Sequence, residues 1–417
     1  MSRVKDVFVA GGQPTVTYNP REQYDLEGEV EEYLETGYKL LSISGPTKSG
    51  KTVLVRRFIA REEGYWVYGG QVDSIDTFWE IIVEQGGAFT NKQESETDGK
   101  SSQTTSKSTG GVKPGGIGVS GTYENTKSES SASSEIRGRS VSPSVAAVQM
   151  LEKEMKPVVI DDFHYIERDL QGEIIRTLKN LIFDGLPVII LSVPHRAFDA
   201  VRVETEMTGR LMQLPIPEWS NSELEDIAVQ GFDALNVKAD KSLTDRLVKE
   251  SFKSPHLMQD FCNAICRKND IYEEQEERKI LEKPSSWDSF FGDRASTTSK
   301  AAFDRLAKGP RQRSDRIQRP LENGESCDIY EAILIALAET GPKTKLSYEE
   351  IRSKLQKVLT DNIPQAHEIT RVLDKMSEIA QDELQGEPVV DWDKDLSELY
   401  ISDPYFAYYL RWGTDIG

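Results

Sequence analysis

Apolar residues along the chain fall into a few distinct rhythms. Unbroken runs occur at Leu40-Leu41-Ser42-Ile43, Tyr65-Trp66-Val67-Tyr68, Pro157-Val158-Val159-Ile160 and Pro187-Val188-Ile189-Ile190-Leu191. They read as strands of a parallel sheet, because a strand covered on both faces has no reason to alternate. Spacings of three and four follow most of them. Val53, Leu54, Phe58 and Ile59 predict a helix after the first run, and Ile75, Phe78, Trp79 and Ile82 one over Ser74 to Val83. Further helices are predicted over Ser144 to Met155 and Leu170 to Phe183, with a last short strand at Leu211 to Leu214. Alternating strands and helices predict an α/β fold. Ahead of the first strand, Val7 to Tyr18 reads as an extended segment with a Gly-Gly-Gln-Pro turn, followed by a helix from about Tyr24 to Leu34.

Two changes of rhythm divide the rest. Over 90–142 bulky apolar residues almost vanish and Ser, Thr, Gly, Lys and Glu dominate, so the segment is a low-complexity insertion. It reads either as a flexible surface loop or as a docking hairpin built on Ile117, Val119 and Tyr123 around Lys113-Pro114-Gly115-Gly116. Beyond Pro215-Ile216-Pro217 the pattern is helical. Ser220 and Glu223 form a capping box, Ser254-Pro255 opens a later helix, and the acidic 273–277 stretch reads as helical too. After a polar stretch come helices over Ile329 to Thr340, from Ser347, and over Pro364 to Ala380. Alternating segments at Pro388 to Trp392 and Glu398 to Ile401 follow, the order of a winged helix. The expected organisation is an α/β core at 1–215, a small helical unit that would form a lid at 216–284, a basic linker at 285–326 and a winged-helix domain at 327–417.

The chemistry lies where the first strand breaks. Gly45-Pro46-Thr47-Lys48-Ser49-Gly50-Lys51-Thr52 matches G-x-x-x-x-G-K-[ST] between a strand and a helix, the context a phosphate-binding loop requires. Its backbone N–H groups, with that of Val53 at the helix start, would cradle phosphate oxygens. Lys51 would reach the β- and γ-phosphates, and Thr52 would ligate Mg²⁺. The second partner of such a site is an acid at a strand end. Asp161 closes V-V-I-D-D-F-H and would hold Mg²⁺, and Asp162 would orient or deprotonate the attacking water. His164 reads equally as a supporting or a packed residue. At the end of the 187–191 strand, Ser192 is the geometric and Arg196 the electrostatic candidate to sense the γ-phosphate. Arg210 stands where a finger offered to a neighbouring subunit would lie. Pro20-Arg21-Glu22 ahead of a helix, a strand and the loop resembles the entry of the AAA+ superfamily, which implies that Arg21 walls an adenine; otherwise it is a solvated helix start, and Pro255 reads as a base-stacking or an ordinary helix-start proline.

Composition narrows the function classes. A net charge of −19 over 417 residues argues against a protein coated in nonspecific nucleic-acid contacts. The exception is 300–319, where Lys300, Arg305, Lys308, Arg311, Arg313, Arg316 and Arg319 face only Asp304 and Asp315. This stretch would meet nucleic acid, nucleotide phosphate or an acidic face of the same protein. No apolar run approaches the ~18 residues of a membrane span, the start lacks a signal-peptide core, and cysteines are sparse, so a cytoplasmic location is expected. Cys262 and Cys266, one helical turn apart on an apolar stretch, read as core packing ahead of a metal pair.

Together the entry at Arg21-Glu22, G-P-T-K-S-G-K-T, V-V-I-D-D-F-H, Pro255 and the ending I-S-D-P-Y-F-A-Y-Y-L-R-W-G (401–413) resemble the branch of AAA+ ATPases shared by STAND signalling ATPases and archaeal origin-recognition ATPases. Lys253 stands where that family's lid G-x-P carries glycine. The resemblance implies a P-loop NTPase parallel sheet with a small helical lid and a C-terminal winged helix, using ATP and Mg²⁺. It implies an ATPase switch, slow in hydrolysis, that assembles with itself and controls a separate effector protein, including in prokaryotic antiviral defence. The alternative class is a DNA-binding ATPase, an initiator or a helper of transposition or repair, reaching DNA through the winged helix and 300–319.

Overall fold

The computed structural model describes residues 1–87, 91–95, 136–140, 142–193, 209–310, 316–341, 343–384 and 388–413. In chain order the core comprises α1 (Leu26–Thr36), β1 (Leu40–Ser44), α2 (Lys51–Phe58), β2 (Tyr65–Tyr68) and α3 (Ile75–Gln85). It continues with β3 (Asn91–Ser95), β4 (Ile136–Ser140), α4 (Pro143–Glu154), β5 (Val158–Asp161), α5 (Arg168–Phe183), β6 (Val188–Ser192) and β7 (Leu211–Pro215). Five strands pair in parallel in the order β2-β5-β6-β1-β7. The strand carrying the glycine loop thus lies one strand away from the one carrying the acids.

The two-sided apolar runs are explained by where alternate residues go. Val158, Ile160, Val188 and Ile190 join Phe78, Leu151, Ile174 and Leu178 in one core under α3, α4 and α5. Their neighbours Val159, Ile189 and Leu191 join Leu41, Ile43, Leu26, Val30 and Val55 in a second core under α1 and α2. Helices on both faces leave the central strands no solvated side. The insertion enters and leaves through β3 and β4, an antiparallel pair with Asn91 opposite Ser140. Ile117, Val119 and Tyr123 lie outside the described residues.

Two further units follow. The lid holds α6 (Asn221–Ala234), α7 (Lys241–Glu250) and α8 (Pro255–Lys268). Cys262 and Cys266 are buried in its core beside Phe261 and Ile265, and burial pushes the Cys266 thiol up to about 12. The 273–277 stretch is not helical. Its backbone is spent on distant partners, Gln275 N–H on Leu235 and Glu274 N–H on Ser2. The expected linker at 285–326 holds two helices, α9 (Trp287–Thr298) and α10 (Lys300–Lys308). Phe290, Phe291 and Ala295 belong to the lid core and Leu306 to the C-terminal core, so apolar burial orders what a polar composition suggested was a tether.

The C-terminal unit comprises α11 (Ile329–Ala338), β8 (Lys345–Ser347), α12 (Tyr348–Val358), α13 (Ala366–Asp382), β9 (Val390–Asp393), β10 (Glu398–Ile401) and α14 (Pro404–Trp412). Its strands pair antiparallel in the order β8-β10-β9. Helix α14 serves two cores: Phe406, Ala407 and Leu410 face the C-terminal core, and Tyr408 and Tyr409 face the lid.

Tyr33 joins α1 to the sheet. Its buried hydroxyl lies 2.9 Å from the Lys39 carbonyl and 2.8 Å from that of Val188, and accepts from the Val188 N–H at 2.8 Å. Tyr33→Phe leaves that N–H unsatisfied and should lower stability by about 1–3 kcal/mol, read as a lower urea midpoint.

Candidate functional site

The loop between β1 and α2 owes its shape to two different glycine requirements. At Gly45 the constraint is contact, since a Cβ there would come within 2.8 Å of the Ile216 Cβ. At Gly50 it is conformation, with φ +100° just before the helix. Lys48 also adopts a left-handed φ of 58°. The loop is pinned from outside: Gly45 N–H donates to the Ser192 carbonyl at 3.1 Å, and Trp219 Nε1–H donates to the Ser49 carbonyl at 2.9 Å. Lys51 opens α2, and its buried Nζ donates to the carbonyls of Gly45 and Pro46, both at 2.9 Å. The ammonium thus lies folded into the cradle.

Beside it, Thr52 Oγ1 donates to Asp161 Oδ2 at 2.8 Å, and Asp161 Oδ1 accepts the Asp162 N–H at 3.0 Å. Burial raises the Asp161 carboxyl above its ordinary value, against the Thr52 hydrogen bond and the Lys51 charge, which lower it. A hydroxyl and a carboxylate in contact are hard oxygen donors of the kind a small divalent cation takes. Asp162 sits at a left-handed φ of 55°, past the strand end, and borders the same cavity as Lys51 and Thr52.

That cavity, of about 370 Å³, extends from the loop to a wall formed by Gly11, Gly12, Gln13, Pro255, His256 and Gln259. Residues 7–18, expected to be extended, form no strand. They fold over the opening, with Gln13 Nε2 donating to the Val53 carbonyl at 3.2 Å. Pro255 and Val53 both line the cavity.

Arg21 lines it too, but its guanidinium is committed elsewhere. Nε donates to Glu223 Oε1 at 2.8 Å, and the two terminal nitrogens donate to the carbonyls of Pro217 and Glu218, each at 2.9 Å. It also lies 4.9 Å from the centroids of both the Tyr24 and Trp219 rings. Arg21 therefore clamps the lid rather than facing solvent at a helix start. Burial pushes the Glu223 carboxyl up, but hydrogen bonds from Arg21 and Ser220 outweigh it and hold the group below its ordinary value.

Among the described residues, an ion pair joins the C-terminal unit to the loop. Lys48 Nζ lies 2.6 Å from Asp403 Oδ1 and 5.2 Å from the Tyr405 ring centroid, and the Tyr405 hydroxyl lies 2.6 Å from His256 Nδ1. Asp403 also caps α14 by accepting the Tyr405 N–H. Neither this contact nor the role of Trp219 was foreseen, although Asp403 belongs to the quoted I-S-D-P ending and Trp219 precedes the capping box.

The remaining candidates separate. Ser192 ends β6 opposite Ser44, and its buried Oγ has no hydrogen-bond partner among the described residues. Arg196 lies outside the described residues. Arg210 is not brought to its own loop. It precedes β7, where Leu211 pairs with Leu40, so it stands at the far end of β1, roughly 15 Å of strand away. Its guanidinium lies 5.2 Å from the centroid of the exposed Phe183 ring. In the 300–319 stretch, Lys300 pairs with Asp304, Arg305 with Glu383, Arg316 with Asp328 and Arg319 with Glu368. Four of its described charges thus meet acids of the same protein. Arg311 and Arg313 lie outside the described residues.

No family model and no curated relative matches the chain. Among solved structures it is similar to the ORC2 protein of Aeropyrum pernix in its ADPNP–ADP complexes, at 14% identity over 97% of this chain and 96% of that one, with a TM-score of 0.48. It is similar to the ORC1 protein of the same organism in complex with DNA, at 12% identity over 98% and 95%, TM-score 0.44. A STAND protein with a tetratricopeptide-repeat sensor from Pyrococcus horikoshii matches at 11% identity over 94% of this chain and 42% of that one, TM-score 0.36.

The buried clamp carries a prediction with a sign. Because Glu223 lies below its ordinary value of 4.5, its contribution to stability is complete above that pH and is lost as pH falls through the lowered value. Arg21→Ala should cost about 3–5 kcal/mol at neutral pH by stranding a buried carboxylate. The cost should shrink at pH 3, and urea titrations at the two pH values check both.

Proposed function

We propose that this chain is an ATP-dependent switch of the AAA+ type, in which a slowly hydrolysing nucleotide site governs how the C-terminal unit is held. The carrying observation is that Lys48, in the loop that would cradle the triphosphate, is also the residue that holds Asp403 of the C-terminal unit. A triphosphate on the loop brings negative charge that competes with Asp403 for the same ammonium. Binding and domain attachment are then linked by one cation.

The roles follow from the geometry. Backbone N–H groups of Thr47, Lys48 and Gly50 to Val53 cradle the phosphates, since the Gly45 N–H is held by the Ser192 carbonyl and Pro46 has none, and Lys51 turns from the Gly45 and Pro46 carbonyls to phosphate oxygens. Thr52 and Asp161 are the residues that would hold Mg²⁺, whose chemistry when bound is to neutralise charge on the β- and γ-oxygens. Asp162 orients or deprotonates the attacking water. The Ser192 hydroxyl senses the γ-position, with Arg196 as the alternative. Arg210, remote from its own loop, acts only on a neighbour's site, beside the exposed Phe183. That placement and the resemblance extend the reading to self-assembly and to a separate effector, antiviral defence included.

We read the C-terminal unit as a winged helix whose partner is a protein. A duplex needs a cationic face. Helix α13 carries Glu368, Asp374, Glu378 and Asp382 beside Arg371 and Lys375, and the β9–β10 hairpin carries Asp391, Asp393, Asp395 and Glu398 beside Lys394. This favours effector control over the DNA-binding alternative.

Lys51→Ala should abolish ATP binding measured by calorimetry with Mg²⁺ present, and an unchanged affinity would overturn the assignment. Asp403→Asn removes the competitor for Lys48. It should tighten ATP binding about fivefold and shift the apo protein in light scattering toward its ATP-bound size. If neither changes, the loop does not govern the C-terminal unit.

A further inference from the structure

Gln259 lies one helical turn beyond Pro255 on α8, and both residues border the cavity from the same helix face. Its side chain is buried, with 4% of its surface exposed. The two ends of its amide are distinguishable. Oε1 accepts the Val9 N–H at 2.9 Å and lies 3.0 Å from the Thr17 hydroxyl, itself 2.9 Å from the Val7 carbonyl. A backbone N–H can only donate, so the atom facing Val9 is the oxygen, and this fixes the orientation of the amide. The NH₂ group is left with two donors and no hydrogen-bond partner among the described residues. It is not sealed in, since Gln259 forms part of the cavity wall.

The position of this wall decides what it meets. Phosphates are confined to the loop end, at Lys51 and Thr52. The part of the wall that Gly11, Pro255 and Gln259 supply carries none of the loop's phosphate donors and is left to the base. There Pro255 offers an apolar face and Gln259 offers hydrogen-bond donors. A donor of fixed orientation in a buried wall selects a lone pair and leaves an unsatisfied group when none is presented.

We propose that Gln259 reads the base of the bound nucleotide, its amide donating a hydrogen bond to an unprotonated ring nitrogen of a purine. The inference rests on the nucleotide-switch reading of the same cavity. It also gives the N-terminal segment a second task. By holding Oε1, Val9 and Thr17 aim the amide, so the fold of residues 7–17 sets base recognition without supplying the reading group.

Gln259→Glu is the discriminating variant. It keeps an acceptor for Val9 and Thr17, removes the donors and adds a negative charge, which the tripolyphosphate arm reports separately. Calorimetry with the full chain would compare ATP, 1-deaza-, 3-deaza- and 7-deaza-ATP, and inorganic tripolyphosphate as a reference without a base. The variant should bind ATP roughly tenfold more weakly and tripolyphosphate within twofold of the parent. One deaza analogue should bind the parent about tenfold more weakly than ATP and lose nothing further in the variant. Equal ATP affinity in parent and variant would overturn the proposal, as would the same loss for all four nucleotides, which would report charge alone. Equal affinity of the parent for all three deaza analogues and ATP overturns it without recourse to the variant. A parent that binds neither ATP nor tripolyphosphate would instead overturn the phosphate-site reading beneath it.

Discussion

The buried pair between Arg21 and Glu223 sets the position of everything above the phosphate loop. Both side chains are almost fully excluded from water, and a guanidinium so placed is tolerable only because its nitrogens are spent on a carboxylate and two carbonyls. Glu223 is at the same time the third residue of the capping box that opens α6. The clamp therefore fixes the first turn of the lid rather than a side chain on its surface. Once α6 is placed, Trp219 falls onto the Ser49 carbonyl and Ile216 onto Gly45. The lid is an extension of the loop's own packing.

The C-terminal unit is attached by two means of different strength. Helix α14 is welded to the lid by apolar and aromatic contact, with the Tyr408 hydroxyl donating to the Phe291 carbonyl and Trp412 and Arg411 both meeting the buried Glu250. Toward the core, the described contacts include a partly exposed ion pair at Lys48. Apolar contact over a helix face is indifferent to a bound anion, whereas an ion pair beside an anion site is not. Of the two attachments, the ion pair is therefore the one that an anion on the loop would disturb.

Much of the core was legible in the sequence because its signals are local. Two-sided strands, the loop with its flanking elements and the acid at the end of β5 are each contained in about a dozen residues. The contacts that make the loop more than a cradle are not local. Lys48 and Asp403 are 355 positions apart, Arg21 and Glu223 are 202, and Val9 and Gln259 are 250. No periodicity or spacing reports such pairs. Helices α9 and α10 were missed for another reason. Each buries only a few side chains, Phe290, Phe291 and Ala295 in one and Leu306 in the other, inside a stretch whose average composition is polar. Arg210 stands at the end of the sheet remote from its own loop, a placement set by strand direction that its position in the chain does not by itself report.

The entry to the insertion has a geometric consequence. Asn91 and Ser140 face each other across an antiparallel pair, so the chain leaves and re-enters the core about 5 Å apart. Seen from the parallel sheet, that pair is one narrow point of attachment. A compact foreign domain with neighbouring termini grafted there would hang from the core without prying α3 from α4.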